Sequence, residues 1–390
     1  MPFPTLSELA AKSVALGIHA GDYQTISLDF PLDTKSSNAV ARELVKFKKE
    51  KDFKNLETFK NQLSITEINL RNCRFDAEAV QRLSNFNLVS LKFGRLLQGY
   101  SGDTLDIVNL LIRATNNYSR RSMIHLGLPE ERRTLIAGWE NEVSKILPNL
   151  QSIDISYKTF GERFQFSNFC TCFPNILVLD ISEAIDLSSL QGIKNLKKLQ
   201  KLIMHNVKFA DFNGYEELSE LKNLKYLDVS IYDKEKKTNP IKEMLAAGVR
   251  MGALEFLDCS LASVTEHELK TFAENHPSLK TVVAICTPCD QSRISGVKML
   301  NMSSPSSFSE CFEYALLIDR QWLAVHFIAD VIEKLQTSRG NLGNIEPRHL
   351  TKAVQFVLRE PFDQAVKLLT WSYYVDSGFL NISEYRKTFL

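Results

Sequence analysis

Apolar residues recur along this chain in the order Leu-x-x-Leu-x-Leu, with polar positions between them. The pattern reads Ile65-Ile68-Leu70, Leu88-Leu91-Phe93, Met123-Leu126-Leu128, Leu150-Ile153-Ile155 and Ile176-Leu179-Ile181. It continues as Leu199-Leu202-Met204, Leu224-Leu227-Val229, Leu254-Leu257-Cys259 and Leu279-Val282-Ala284. Most steps fall within the roughly 20–29 residues of a leucine-rich repeat. Two longer steps mark insertions, one near Asn116-Asn117 and one at the charged run Asp233-Lys234-Glu235-Lys236-Lys237. The second and third apolar positions lie two apart, so they share one face of a strand. The first enters the same core from the preceding turn. No unit can bury that face alone, so the units must stack. Helical returns are visible at 216–221 and 266–272. The asparagine usual after the strand is absent. Cys73 is its one consensus substitute, and Lys158, Ala184, Val207 and Ala262 stand where others would be. The expected fold is an α/β solenoid of irregular leucine-rich repeats.

The period stops after Ala284. Residues 286–307, rich in Ser, Pro, Cys and Met, read as a linker or capping loop. From Ser309 the apolar spacing turns helical, through Phe312, Leu316, Trp322, Val325, Ile328, Ala329 and Ile332. Pro347 and Pro361 sit near the starts of two further helices, about 347–358 and 361–375. Three such helices look like the opening of an armadillo-type array. At the other end, Thr5 can cap a helix and Glu8 can complete a capping box. Leu6, Leu9, Ala10 and Val14 then share one helix face. The expected organisation is a helical segment over 1–60, repeats over 61–285, a linker over 286–307 and armadillo-like helices over 308–390.

Composition narrows the function. With 47 basic and 46 acidic residues the net charge is +1, so no bulk attraction to nucleic acid or anionic membrane is expected. No apolar run approaches the roughly 20 residues of a membrane helix. Seven scattered cysteines and a start without a basic leader suit reduced thiols in the cytoplasm or nucleus. There is no glycine-rich phosphate loop, no His-Glu-x-x-His and no Gly-x-Ser-x-Gly. Cys286-Thr287-Pro288-Cys289 has zinc-like spacing, but the nearest second pair, Cys170 and Cys172, belongs to another repeat. Neither an enzyme nor a cofactor is expected.

Four strands carry an aspartate between their core positions: Asp154, Asp180, Asp228 and Asp258. Each is followed two residues later by a serine. Stacked at about 4.8 Å, they would form an acidic stripe on the concave face, able to hold a basic client. The plainer reading is that Leu-Asp-x-Ser is ordinary strand chemistry in such repeats.

Thr5-Leu6-x-x-x-Ala10-x-x-x-Val14 resembles the box by which ubiquitin-ligase receptors bind Elongin C, with Ala10 where cysteine is usual. Segments 202–207, 224–230 and 277–282 resemble the Zyg-eleven and Zer-one family, substrate receptors of cullin-two RING ubiquitin ligases. That family's order of box, leucine-rich repeats and armadillo-like helices matches this chain. The resemblance implies that Thr5, Leu6, Leu9, Ala10 and Val14 contact Elongin C, which comes with Elongin B. It implies a cullin-two contact in the segment after the box, for which Phe30, Pro31, Val40, Leu44 and Val45 are candidates. A protein client would lie on the repeats. The alternatives are a leucine-rich-repeat scaffold and a truncated receptor without ligase activity.

Overall fold

The structure is a computed structural model and describes residues 5–22, 31–47, 56–71, 73–97, 104–160, 164–209, 212–232, 238–338 and 342–379. The charged run 233–237 lies outside them. The chain divides into two compact units, residues 2–224 and residues 225–390.

In the first unit six short strands pair in parallel, one per repeat. They are β1 (Glu67–Asn69), β2 (Ser90–Lys92), β3 (His125–Gly127), β4 (Ser152–Asp154), β5 (Val178–Asp180) and β6 (Lys201–Ile203). The register aligns Ile68, Leu91, Leu126, Ile153, Leu179 and Leu202, the second apolar position of each unit. The returns are helices α3 (Ala77–Leu83), α4 (Ile107–Ala114), α5 (Asn117–Ser122), α6 (Trp139–Ile146) and α7 (Phe166–Cys172), then 3₁₀ turns at Ile193–Asn195 and Phe212–Glu220. Shorter parallel pairs run beside them, Arg74–Phe75 with Arg95–Leu96 and Thr104–Leu105 with Thr134–Leu135.

The second unit repeats the scheme with β7 (Tyr226–Asp228), β8 (Phe256–Asp258), β9 (Thr281–Val283) and β10 (Lys298–Leu300), which align Leu227, Leu257, Val282 and Met299. Its returns include α8 (Pro240–Ala246) and α9 (Glu266–Asn275). Every apolar position of the nine repeat motifs is at most 5% exposed. Each such side chain stabilises the fold by about 1.5–3 kcal/mol relative to exposure.

Strand β10 corrects the reading of 286–307 as a linker. It forms within a segment that lacks the Leu-x-x-Leu spacing and lies only 17 residues beyond Val282 in register. The helical region also differs from expectation, with four helices among the described residues rather than three: α10 (Pro305–Leu317), α11 (Gln321–Thr337), α12 (Pro347–Arg359) and α13 (Gln364–Asp376). Asp319, at φ 56°, breaks the first stretch in two, and the apolar period runs on through the break.

The missing asparagine ladder has two replacements. A left-handed residue follows the strand at the same place in several repeats: Tyr157, Glu183, Asn206, Leu261 and Cys286. Side chains just before the strand bond the previous repeat instead. Asn149 Nδ2 donates to the Arg121 carbonyl at 2.8 Å, Asn223 Nδ2 to Lys197 at 2.7 Å and Ser278 Oγ to Gly252 at 2.7 Å. At one asparagine position Lys158 is fully buried, and its Nζ donates to the carbonyls of Pro129 and, at 2.8 Å, Glu131. Burial foremost, with the nearby Arg71 charge, pushes this ammonium down to about 8.

Candidate protein-interaction surfaces

The N-terminal helix α1 (Leu6–Ala20) starts at a complete capping box. Thr5 Oγ1 accepts from the Glu8 backbone N–H at 3.2 Å, and the Glu8 carboxylate accepts from the Thr5 N–H at 2.8 Å. These bonds hold the Glu8 carboxyl below its ordinary range, the Thr5 backbone N–H contributing most. Ala11, Ala15 and Ile18 form the buried face of α1, which packs on α2 (Thr34–Val45). Helix α2 in turn caps the solenoid. Asn38 Oδ1 accepts from the Thr66 N–H at 2.9 Å, and Asn38 Nδ2 donates to Thr66 Oγ1 at 3.0 Å beside β1.

Because α2 seals the repeats, α1 is left with a second apolar face toward solvent. Leu6 is 84% exposed and Leu9 50%; Ala10 is exposed and Val14 half-buried. Leu16, seven residues after Leu9, extends the stripe at 45% exposure. A helix that is apolar on both sides while only one side is covered is the pattern of helix-in-groove recognition.

The cullin candidates fare differently. Val40 and Leu44 are each only 1% exposed, on a helix that packs against both α1 and β1. They are core residues and cannot be a contact surface, which corrects that expectation. Pro31 is exposed, Val45 is half-buried, and Phe30 lies outside the described residues.

The four aspartates share one local geometry. Each Oδ1 accepts the backbone N–H of the serine two residues on: Ser156 at 3.1 Å, Ser182 at 2.9 Å, Ser230 at 3.0 Å and Ser260 at 2.9 Å. The second oxygen serves other partners. Arg71 reaches from β1 across Gly127 of β3 to Asp154 Oδ2 at 2.6 Å, with Glu130 3.2 Å away. Any Cβ at Gly127 would meet the Arg71 guanidinium and the Lys92 stem at 3.1 Å. In the second unit Arg320 Nη1 binds Asp228 Oδ2 at 2.7 Å, and Tyr314 Oη donates to Asp258 Oδ2 at 2.7 Å. Asp228 is 1% exposed and Asp258 is fully buried. The expectation of four solvent-facing carboxylates is therefore corrected. Two are sealed beneath residues of the helical array, and Asp154 is bridged to arginine. Only Asp154 and Asp180 keep partial exposure.

Sequence reasoning passed over Arg71, Tyr314 and Arg320. For Arg71 alone there was a signal, since Gly127 interrupts a strand where another group must come close. Among the described residues no cluster of three His, Cys, Asp or Glu side chains could hold a metal. Cys286 and Cys289 are both buried, and the Cys289 thiol lies 3.2 Å from the Val264 carbonyl. No helix among the described residues is long and apolar enough to cross a membrane.

Stacked parallel strands, each closed by a turn and a helical return, define a leucine-rich-repeat protein. Residues 167–301 match the family model of Zer-1-like leucine-rich repeats. Over 342 residues the chain is 29% identical to gastrulation-defective protein 3 of Caenorhabditis elegans, covering 85% of this chain and 46% of that one. Both findings are likenesses to this family of leucine-rich-repeat proteins, the first confined to residues 167–301. It spans about half the length of the curated relative it matches. Among solved structures, an internalin (inlF) of Listeria monocytogenes matches 73% of this chain and 93% of its own at 13% identity and TM-score 0.37. A TLR13–ssRNA13 complex matches 61% of this chain and 36% of its own at 14% identity and TM-score 0.37.

Proposed function

We propose that this chain is a substrate receptor of a cullin-two RING ubiquitin ligase. In this reading α1 docks on Elongin C, with Elongin B attached, and the repeats hold a client protein. The chain's own chemistry is proximity, and other subunits carry out the transfer. The observation that carries the reading is the uncovered apolar face of α1, with Leu6 at 84% exposure beside Leu9 and Ala10. The likeness of residues 167–301 to Zer-1-like leucine-rich repeats supports the receptor role. With Val40 and Leu44 in the core, the cullin contact is left to Pro31 and Val45 among the described candidates. The client surface is left to the partly exposed Asp154 and Asp180 and the strand residues around them.

The test is affinity purification of the full chain from cells, scored for Elongin C, cullin-two and co-eluting clients. The wild type should bring down both ligase subunits. Absence of both would overturn the receptor reading.

A further inference from the structure

Tyr314 of α10 and Arg320, at the start of α11, close over one face of β7 and β8. Beneath them lie two carboxylates, and among the described residues Arg320 brings the one guanidinium that contacts them. Asp228 is matched by that cation: Arg320 Nη1 lies 2.7 Å from its Oδ2 and 2.9 Å from Ser230 Oγ. The bonds described around Asp258 come from neutral donors, the Ser260 N–H at 2.9 Å and the Tyr314 hydroxyl at 2.7 Å. Tyr314 Oη also lies 3.1 Å from Tyr226 Oη, and the Tyr226 ring stacks on Phe256 at 4.5 Å. Among the described residues, and with both carboxylates ionised, the cluster carries one more negative than positive charge away from water. Such a charge costs several kcal/mol or is removed by a proton.

The ionisable groups facing Asp258 come from three sides. Asp228 and Tyr226 belong to β7, Cys259 to its own strand, and Tyr314, Cys311 and Arg320 to the helical array. Burial holds both thiols and the Tyr314 phenol protonated, so Asp258 is the member poised to take a proton. The hydrogen-bond chain accommodates it. A proton on Asp258 Oδ2 is donated to Tyr314 Oη, and Tyr314 turns its own hydroxyl hydrogen toward Tyr226 Oη. The Tyr314 and Tyr226 hydroxyls reorient, and both oxygen–oxygen contacts persist.

We propose that this cluster is a proton-operated latch: one proton taken up by Asp258 tightens α10 and α11 on the β7–β8 face, and its release loosens them. Burial first, and then Asp228, pushes the docked Asp258 carboxyl up to about 6, against an ordinary value of 3.8 when the face is open. The docked state thus holds the proton more tightly, and docking weakens as pH rises through about 6. Two pKa units correspond to about a hundredfold in the docking equilibrium over the full range.

The test is amide hydrogen exchange of the full chain, read in peptides covering 305–317 and corrected for intrinsic exchange. Wild type should be at least about tenfold better protected near pH 5 than near pH 7.5, the lower part of the range one shifted carboxyl can produce. Asp258→Asn should be equally protected at both. A flat wild type would overturn the latch. So would an Asp258→Asn variant that keeps the pH dependence, which would assign it to another group. If Asp258→Asn does not fold, Tyr314→Phe provides the decision. It removes a donor to the carboxylate, so the midpoint should move to higher pH, and an unmoved or lowered midpoint would overturn the proposal.

Discussion

Replacing Lys158 by methionine isolates the cost of burying an ammonium where the repeat would carry asparagine. The side chain is fully buried, bonds two backbone carbonyls, and has its value pushed from 10.5 to about 8 by burial and by Arg71. The native state therefore binds this proton more weakly than the unfolded chain. Below about pH 8 both states hold the proton and the full penalty applies. Between about 8 and 10.5 the unfolded chain alone stays protonated, so this group's contribution to stability rises with pH. A difference of 2.5 pKa units corresponds to about 3 kcal/mol. Methionine fills similar space without a charge, so its pH profile lacks this rise. The assay is thermal unfolding of wild type and Lys158→Met at matched pH from about 7 to about 10. Between about pH 7 and about pH 10, about 2.5 kcal/mol of this difference is realised, so the wild type should gain on the variant by about 5–10 °C, at about 2–4 °C per kcal/mol for a unit of this size. Comparing the two proteins at each pH removes the effect of tyrosine and cysteine ionisation, which is common to both. Parallel profiles would refute the reasoning and would mean that Lys158 is not held charged in a desolvated site.

Other substitutions probe the rest of the framework. Leu227→Ala removes a fully buried side chain aligned with Leu257 in β8, and should cost about 2–5 kcal/mol in urea unfolding. Gly127→Val sets a side chain under the Arg71 guanidinium; it should lower stability by about 1–3 kcal/mol through overpacking and loss of the Asp154 bridge, read as a fall in melting temperature. Asp154→Asn in the Gly127→Val background should then add little, because the two changes break the same bridge. Leu6→Asp should leave the melting temperature unchanged, since Leu6 faces solvent and a carboxylate suits the first turn of a helix.

The repeat core was legible because its signal is periodic. Apolar spacing of two within a unit and a near-constant step between units determine both face and register, and all nine motifs occupy the aligned core. The capping box at Thr5 and Glu8 was legible because it is local. What escaped depends on tertiary partners. Asp228 and Asp258 share the pattern of an aliphatic residue, Asp, any residue and Ser with Asp154, yet Arg320 and Tyr314, some 90 and 60 residues away, cover them. Val40 and Leu44 read equally well as a contact face or a core face, and only the packing of α1 on α2 separates these. Strand β10 was missed because Lys298–Leu300 has no flanking leucines in the repeat spacing. The break at Asp319 was missed because one residue in a left-handed conformation leaves the apolar period intact.

The central claim is that α1 presents its outer face to Elongin C. The most direct measurement is a binding titration of purified Elongin B–Elongin C heterodimer against the full chain, run beside Leu6→Asp. A charge placed in an apolar groove is strongly unfavourable. The account predicts saturable one-to-one binding by wild type and its loss in a Leu6→Asp protein of unchanged melting temperature. Absence of binding by the wild type, or equal binding by the two proteins, would contradict it.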